Sequence, residues 1–373
     1  MSFQKSSRKN RVRVAIIRGA FLNPFELQNY YPLKNKYELR AVSSLHPISE
    51  AIEIPLTKTF SFTDLPNFPF KYQILNRLTV DAHYLFGLEQ LLRGFDIAHV
   101  AETYYNYTRQ AVNAKKKGAV KKVISTAWEV IPGNNEGIWG RRRFKRIAYE
   151  GIDHFIAVTE LAKKALLEEG VEEDRVTVIP MGVDLKRFRP GRRADTGPVR
   201  ILCVARLVVE KGTGELVEAF SALRKKYPDL ELALVGEGPL KNKYARVSGI
   251  IFQPLPYQKI EKAYQEADIF CLPSKTTKYW QEQYGLALIE AMACGLPIVT
   301  TQTGAIGEVC GEAAIYAKPG AANDLQLKLE GLIINTSARI TLAKKARARA
   351  EARYDHRVIA KKIDALYQKV LWE

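Results

Sequence analysis

Short apolar runs alternate with amphipathic stretches along most of the chain. The first half contains strand-like runs, rich in β-branched and aromatic residues, at 12–17, 37–44, 96–100, 122–128, 154–159 and 175–180. The periodicity of a helix occurs between them, at 81–93, 104–117, 138–150 and 160–169. Strands that alternate with helices in this way predict a parallel sheet that helices cover on both faces.

The alternation breaks once and then starts again. Residues 185–199 contain two prolines, two glycines and several arginines, which is typical of a linker. Beyond it, strand-like runs occur at 200–206, 230–236, 250–254, 268–274 and 297–304, with helices at about 213–226, 257–267 and 285–295. We therefore predict two doubly wound α/β domains, at 1–185 and 186–353, and an amphipathic helix at 354–373 that could pack back on the N-terminal domain.

Charge limits the classes of partner. Residues 1–150 carry 24 Lys and Arg against 12 Asp and Glu, whereas the rest of the chain accounts for only +5 of the net charge of +17. A basic N-terminal half indicates an anionic partner, which is a phosphate-bearing substrate, an acidic membrane surface or nucleic acid. Nucleic acid is not expected as a partner, because the chain lacks zinc-finger spacing, an aromatic RNA-binding motif and a basic low-complexity tail.

The cysteines and the hydropathy predict a location. The four cysteines lie far apart in apolar surroundings, at Cys203, Cys271, Cys294 and Cys310. They are expected to be buried, reduced thiols and not a zinc site or a disulfide framework. The chain contains no apolar stretch long enough for a membrane span, and its N-terminal apolar run lacks a signal-peptide cleavage site. We expect a cytoplasmic protein, peripheral on the inner face of the plasma membrane.

Residues that follow the strands of the second half contain the candidate chemistry, because parallel α/β sheets bind ligands at the carboxyl ends of their strands. Arg206 and Lys211, in ARLVVEKG, follow one strand, and two cations there suit a diphosphate. Gly236 and Glu237, in LVGEGP, follow the next strand and are assigned to donor binding. A glycine at that position permits either an ordinary tight turn or the close approach of a ligand.

The stretch WQEQYGLALIEAMACGLPIV contains two glutamates eight residues apart, Glu282 and Glu290. A helix is predicted to begin near Gly285, and the N–H groups at its start would form an anion site. These N–H groups belong to Tyr284, Gly285 and Leu286. Glu282 lies just before the helix, where a carboxylate can also simply complement the dipole. Glu290 lies among apolar residues, so it should be buried and need donors such as ribose hydroxyls. Neither glutamate has a His or Asp at ligand spacing, so no metal is expected.

The order of these motifs resembles the retaining glycosyltransferases of family 4, which have the GT-B fold. An R-x4-K pattern, G-x-G-P, DIFCLPS and E-x7-E occur in the family's order, and VIPMGVDLKRFRP resembles its interdomain segment. The similarity is continuous over about 152–320 and weaker over the first 150 residues, which the family devotes to the acceptor. The resemblance implies two facing Rossmann-like domains with an interdomain cleft. It also implies no cofactor, since the nucleotide-sugar is a substrate, and no metal.

The resemblance implies roles for individual residues of the C-terminal domain. Arg206 and Lys211 would contact the diphosphate of a nucleotide-sugar donor and stabilise the leaving nucleotide. Glu290 would bind the ribose hydroxyls, and Glu282 would lie against the sugar. The backbone at 284–286 would hold sugar hydroxyls and phosphate. No carboxylate nucleophile is established for the family, so Glu282 is not assigned that role.

The N-terminal half departs from the family pattern in two places. The loop after the first strand is usually Gly-Gly, but here Arg18 precedes Gly19. The side chain of Arg18 is expected to narrow the space through which a ligand approaches this loop, while Gly19 still leaves room for the donor. The family's T-x-H-D motif reads TAWE, so Glu129 is expected to take any polar role toward acceptor or sugar. His99 and Glu102 close the preceding strand. Packing and loop contacts explain their presence there as well as a role toward a substrate does.

A basic helix is predicted at 138–150, IWGRRRFKRIAYE, with five cations among aromatic residues. It would dock on an anionic leaflet or simply be solvated. The function predicted from these features is retaining transfer of a hexosyl unit from a UDP- or GDP-sugar to a glycan or lipid-linked acceptor in polysaccharide or glycolipid synthesis. The alternatives are a sugar-nucleotide epimerase of the same fold and a membrane-surface scaffold that has lost catalysis.

Overall fold

The computed structural model describes residues 11–191 and 197–372. They form two compact units. The first comprises the described residues up to Val158, Leu166–Ile179 and those from Ala360 onward, and the second comprises Thr159–Ala165 and Pro180–Ile359. The start of the basic N-terminus and the middle of the predicted linker lie outside the described residues. The predicted domain boundaries at 185 and 353 stay predictions.

The first unit is built on a parallel sheet in the order β3-β2-β1-β4-β5-β6-β7. Its strands are β1 Arg13–Ile17, β2 Glu38–Ser43, β3 Leu56–Lys58, β4 Phe95–Ala101, β5 Val120–Ala127, β6 His154–Ala157 and β7 Val176–Val178. The central strands β1, β4 and β6 are buried almost throughout, as expected of a parallel sheet between two helical layers. The strand order reverses between β1 and β4, which is where such sheets bind ligands.

The helices of this half include two, at 24–27 and 71–79, that were not predicted. The helices are α1 Pro24–Leu27, α2 Lys71–Thr79, α3 Leu88–Leu91, α4 Asn106–Lys116, α5 Arg141–Gly151 and α6 Glu160–Glu168. The predicted helix at 81–93 is wrong except for α3. The carboxylate of Asp81 accepts the backbone N–H groups of His83 and Asn106, and the side chain of Gln110 bonds both backbone groups of Leu85. Side chains therefore satisfy the backbone that the apolar periodicity assigned to a helix.

The second unit repeats the architecture with the sheet order β10-β9-β8-β11-β12-β13. Its strands are β8 Arg200–Val204, β9 Glu231–Val235, β10 Ile250–Phe252, β11 Ile269–Leu272, β12 Ile298–Thr301 and β13 Ala314–Ala317. The remaining helices are α7 Thr213–Lys226, α8 Lys241–Tyr244, α9 Glu261–Gln265, α10 Leu286–Ala293, α11 Ile306–Cys310, α12 Ala322–Ile334, α13 Thr336–Arg353 and α14 His356–Trp372. The predicted class, two doubly wound parallel sheets, is confirmed.

The last helix, α14, contributes to the core of the first unit from Ala360 onward. The hydroxyl of Tyr37 donates to Asp364 at 2.5 Å, and the hydroxyl of Tyr367 lies 2.6 Å from Nδ1 of His99. His99 is fully buried, and its Nε2 lies 2.8 Å from the hydroxyl of Thr126. These contacts give His99 a packing role.

Other expectations concern the whole chain. All four cysteines are buried free thiols, as predicted. Within residues 11–191 and 197–372, no helix has both the length and the hydropathy needed to cross a bilayer. Across the same ranges, no group of three or more His, Cys, Asp or Glu side chains is placed to hold a metal ion.

Candidate active site

Loops at the carboxyl ends of β8, β9, β11 and β12 meet in the second unit, and glycines lie where they touch. A Cβ atom at Gly212 would lie 1.9 Å from the carbonyl oxygen of Pro273, because these two loops pack backbone against backbone. A Cβ at Gly236 would lie 2.0 Å from the carbonyl oxygen of Ala205 in the same way. The packing of the loops alone therefore requires these glycines, and donor binding by Gly236 stays a prediction.

Gly212→Ala should destabilise the second unit by about 2–4 kcal/mol, because Gly212 also has a φ of +66° that L-residues adopt only with strain. Urea unfolding measures the change. The matched control is Gly214→Ala, whose Cβ would meet only the hydroxyl of Tyr244 at 3.6 Å. Since Gly214 lies in α7, alanine there should leave stability unchanged or raise it by up to about 1 kcal/mol. Equal stability of the two variants would contradict the contact between the loops.

Lys211 and Glu282, which are 71 residues apart in sequence, form an ion pair in this set of loops. Lys211 Nζ lies 2.7 Å from Oε2 of Glu282, and the hydroxyl of Ser274 donates to the same oxygen at 2.8 Å. The two side chains are only 15% and 8% exposed, so solvent screens the pair weakly. Lys211 also lies 5.0 Å from the ring centre of Trp280. Glu282 is thus the charge partner of Lys211 and does more than complement a helix dipole.

The two other charged residues predicted here are at the surface. Arg206 follows β8 in the same loop as Lys211, and its side chain is exposed to solvent. Glu237 follows β9, with a side chain that is 71% exposed and paired with Lys241 at 2.6 Å. All four residues therefore lie in these loops, but Arg206 and Glu237 are exposed, whereas Lys211 and Glu282 are largely buried.

Glu290 lies within α10, and only 3% of its surface is exposed. The hydroxyl of Tyr264 donates to its Oε2 at 2.7 Å, whereas its buried Oε1 has no hydrogen-bond partner. Burial raises the pKa of this carboxyl to about 7, against the opposing effects of the Tyr264 and Tyr257 hydroxyls and of the Arg187 charge. A buried acceptor without a donor is unfavourable, and a hydroxyl-bearing ligand would relieve it.

The start of α10 is as predicted. Gly285 is the N-cap with a φ of +77°, and its carbonyl accepts the N–H of Leu288 at 2.8 Å. The phenol of Tyr284 is buried and donates to the carbonyl of Met181 at 2.6 Å. The side chain of Tyr284 therefore has a packing role, and its predicted contribution to a ligand concerns the backbone only.

In the first unit, the expectation that Arg18 narrows the approach to Gly19 is wrong. The Arg18 side chain is 1% exposed and turns inward, where Nε donates to Oε1 of Glu26 at 2.6 Å. Its Nη1 donates to the carbonyls of Ile17 and His99. Arg18 therefore joins strand ends beneath the surface. Gly19 itself is buried, with a φ of +53° at the start of a turn of 3-10 helix.

The carboxylate of Glu129 folds onto its own loop. Its Oε1 accepts the backbone N–H groups of Val130 and Ile131, both at 3.0 Å. Its Oε2 accepts the side-chain amides of Asn134 at 2.9 Å and Asn135 at 3.3 Å. These contacts make Glu129 the organiser of the loop after β5. Its predicted role toward a substrate stays a prediction.

Glu102 is a carboxyl whose environment the sequence did not reveal. It is 5% exposed, and its Oε1 accepts the N–H of Trp128 at 2.9 Å, which ties the ends of β4 and β5 together. Its φ of +59° is uncommon for a residue other than glycine. Burial, followed by the charge of Glu129, raises its pKa to about 8. Its position at a strand end was visible in the sequence, but its backbone conformation and burial were not.

The basic helix is less basic at the surface than predicted. Arg141 is buried and donates from Nη2 to Asp81 at 3.2 Å. Lys145 is 2% exposed, lies 3.3 Å from Glu136 and also contacts Glu169. Two of the five cations therefore neutralise internal carboxylates. The cations that remain exposed on α5 are Arg142, Arg143 and Arg146.

Comparison with known proteins covers both halves of the chain. A family model described as Glycosyl transferases group 1 matches residues 186–349, and one described as Glycosyltransferase Family 4 matches residues 49–187. A GDP-mannose-dependent monoacylated alpha-(1-6)-phosphatidylinositol monomannoside mannosyltransferase of Corynebacterium glutamicum is 26% identical over 69% of this chain and 72% of its own length. A glycogen synthase of Mycobacterium tuberculosis is 29% identical over 54% of this chain. The matched region is 49% of the length of that relative, so this chain spans about half of it.

Solved structures match the fold over nearly the whole chain. The crystal structure of Anabaena Alr3699/HepE in complex with UDP and glucose gives a TM-score of 0.75, covering 96% of this chain and all of that one. Sequence identity to it is 16%, so the likeness concerns the fold alone. WaaG, a glycosyltransferase involved in lipopolysaccharide biosynthesis, gives a TM-score of 0.67 over 94% of this chain at 13% identity.

Proposed function

Because the chain belongs to the family 4, or group 1, glycosyltransferases, we propose that it transfers a hexosyl unit from a nucleotide-sugar donor to a glycan or lipid-linked acceptor with retention of configuration. Members of this family move sugars from nucleotide-sugars to such acceptors. The C. glutamicum relative is named for GDP-mannose, and HepE was crystallised with UDP and glucose. Both bases are therefore candidates for the donor of this chain.

The observation that best supports the proposal is the buried carboxylate of Glu290 with its unpartnered Oε1. A glutamate in the middle of an apolar helix is unfavourable for folding unless a ligand uses it. The two hydroxyls of a ribose can donate to its two oxygens, and a carboxylate accepts more strongly than a neutral group. We assign Glu290 to the ribose of the donor.

The charged residues of the neighbouring loops suit the leaving group. When the bond between the anomeric carbon and the phosphate oxygen breaks, its electron pair stays on the nucleoside diphosphate. Glu282 balances the charge of Lys211 in the described structure, and a diphosphate would compete with Glu282 for the ammonium group of Lys211. Glu282 would then turn to a sugar hydroxyl. Arg206 would add a second cation to the diphosphate, and the acceptor oxygen would bond to the anomeric carbon as its proton leaves to the diphosphate or to water.

The remaining residues of the donor site are assigned by position. The backbone of 284–286 at the start of α10 would hold sugar hydroxyls and phosphate. Gly236 and Glu237 would border the nucleotide, and donor binding by Gly19 of the first unit stays a prediction. Glu129 would act on substrate only by releasing part of its own loop.

The acceptor is proposed from charge. Arg142, Arg143 and Arg146 give α5 an exposed cationic face that suits an acidic acceptor, such as a lipid-linked phosphate, or an anionic leaflet. A peripheral position on the inner face of the plasma membrane would bring the enzyme to such an acceptor.

A screen of UDP- and GDP-sugars without added metal tests the proposal. The true donor should stabilise the protein by about 2.7 kcal/mol at 100 times its dissociation constant in a thermal-unfolding assay. It should also be hydrolysed slowly to nucleotide and free sugar. A new nucleotide-sugar epimer as product would instead show an epimerase. Binding without turnover on a broad acceptor panel would favour the scaffold.

A further inference from the structure

The first unit exposes large apolar side chains on and around α2 that its core does not use. They project from residues 68–78 and from the turn before α5, and each is between 37% and 78% exposed: Phe68, Phe70, Tyr72, Ile74, Leu78 and Trp139. We call this set the α2 surface. Single exposed apolar residues are ordinary, but five within residues 68–78 are a dense group of the kind that occurs at interaction surfaces.

The α2 helix is attached to the fold by very few of its residues. Only Lys71 and Leu75 are buried within it, and Lys71 Nζ donates to the carbonyls of Thr63 and Leu65. The outward side chains are therefore free of the packing that anchors the helix. Phe70 immediately before it has a φ of +57° while its ring is 72% exposed. The strained backbone at Phe70 therefore costs free energy, and the exposed ring does not offset that cost by packing in the core.

Trp139 and the cations of α5 continue the α2 surface. A Cβ atom at Gly140 would lie 2.7 Å from a methyl group of Val80, the residue that ends α2. The adjacent Arg141 bonds to Asp81, so the start of α5 is fastened to the end of α2. The exposed cations Arg142 and Arg143 therefore follow directly after the point of contact.

Charge decides which partner fits. The segments 65–80 and 137–149 contain no Asp or Glu, whereas they contain seven Lys and Arg, of which Arg141, Lys145 and Lys71 are buried. Aromatic and aliphatic side chains beside exposed arginines, without acids, are the composition of an interfacial membrane helix. A protein partner would have to supply counter-charges to Arg143 and Arg146, whereas Arg142 already lies 3.7 Å from Glu136.

We propose that the α2 surface docks the protein on an anionic lipid bilayer, with the side chains of 68–78 and Trp139 entering the interface and the arginines of α5 binding headgroups. The docking rests on the peripheral position proposed above and adds its apolar component, and it requires neither donor nor turnover. It also differs from docking through the basic helix alone, because the apolar contribution comes from α2. Removing either component should weaken binding to vesicles.

Co-sedimentation with vesicles tests the apolar component. Phe70→Ser with Leu78→Ser should lower partitioning onto phosphatidylcholine vesicles containing phosphatidylglycerol by about tenfold or more. The matched control is Leu327→Ser with Ile334→Ser, two side chains 64% and 66% exposed on α12 of the second unit, which should partition as the wild type does. Equal partitioning of the two double variants would overturn the proposal.

A charge-reversal variant and a measurement of the oligomeric state in solution complete the test. Arg142→Glu with Arg143→Glu should abolish the preference for anionic over neutral vesicles, and added salt should weaken wild-type binding. Donor hydrolysis should stay at the wild-type rate in Phe70→Ser with Leu78→Ser, which separates a docking defect from a catalytic one. A wild-type dimer that becomes monomeric in Phe70→Ser with Leu78→Ser, together with no vesicle binding, would assign the α2 surface to a second copy and contradict the proposal.

Discussion

Replacing Lys211 by alanine is expected to lower the rate of nucleotide release from the donor by about 10²–10³-fold. The leaving diphosphate gains negative charge as the glycosidic bond breaks, and the ammonium group of Lys211 is a partly buried cation of the second unit's loops that can neutralise it. An interaction that strengthens only in the transition state acts on kcat more than on KM. Steady-state kinetics of nucleotide release therefore measure the effect directly.

The same substitution leaves Glu282 with Ser274 but without its cation, so a loss of folding must be separated from a loss of catalysis. Lys211→Ala with Glu282→Ala removes both charges and should regain stability without regaining activity. Lys226→Ala removes a surface lysine paired with Glu330 and should keep wild-type kinetics. A Lys211→Ala enzyme with normal kcat would show that the diphosphate is neutralised elsewhere.

The bounds of one helix of the second unit followed from the sequence, whereas the strand β13 and the helices α12 and α13 were not predicted. The helix α7 was predicted at 213–226, which is where it lies, because its apolar periodicity is uninterrupted and a glycine precedes it. In the first unit, 81–87 has apolar spacing that suits a helix, yet the side chains of Asp81 and Gln110 bond its backbone in a loop. Hydrogen bonds to a side chain 25 residues away leave no local pattern in the sequence.

Individual side chains were predictable where burial follows from their neighbours. Glu290 has apolar residues on both sides in a helix, so its burial could be inferred, and the structure confirms it. The ion pair of Lys211 with Glu282 depends on the meeting of two loops, which sequence separation conceals. The inward turn of Arg18 was not foreseeable either, because the burial of a guanidinium depends on Glu26 and on carbonyls of two strands.

Replacing Glu290 by glutamine should weaken donor binding by about 10²-fold above pH 7, where the wild-type carboxyl is ionised. Ribose hydroxyls donate more strongly to a carboxylate than to an amide oxygen. Because burial raises the pKa of Glu290 to about 7, wild-type affinity should fall as the pH drops through 7, and donor binding there should release a proton. The glutamine variant should bind weakly at every pH. Isothermal titration calorimetry in buffers of different ionisation enthalpy measures both quantities.

Glu290→Gln should weaken donor binding but raise the free energy of unfolding of the protein without donor. A carboxyl whose pKa rises from 4.5 to about 7 on folding destabilises the folded state as the pH rises through that window, by on the order of 3 kcal/mol once it is ionised. Glu290→Gln should therefore unfold at a higher temperature than the wild type at about pH 8, and the difference should shrink toward about pH 5. Glu102→Gln is the matched control, because Glu102 is also buried with a raised pKa but lies in the first unit. It should stabilise the apo protein at high pH while leaving the pH profile of donor affinity as in the wild type. If Glu102→Gln altered that profile as strongly as Glu290→Gln does, the pH dependence would belong to the whole protein, and the ribose assignment would lose its support.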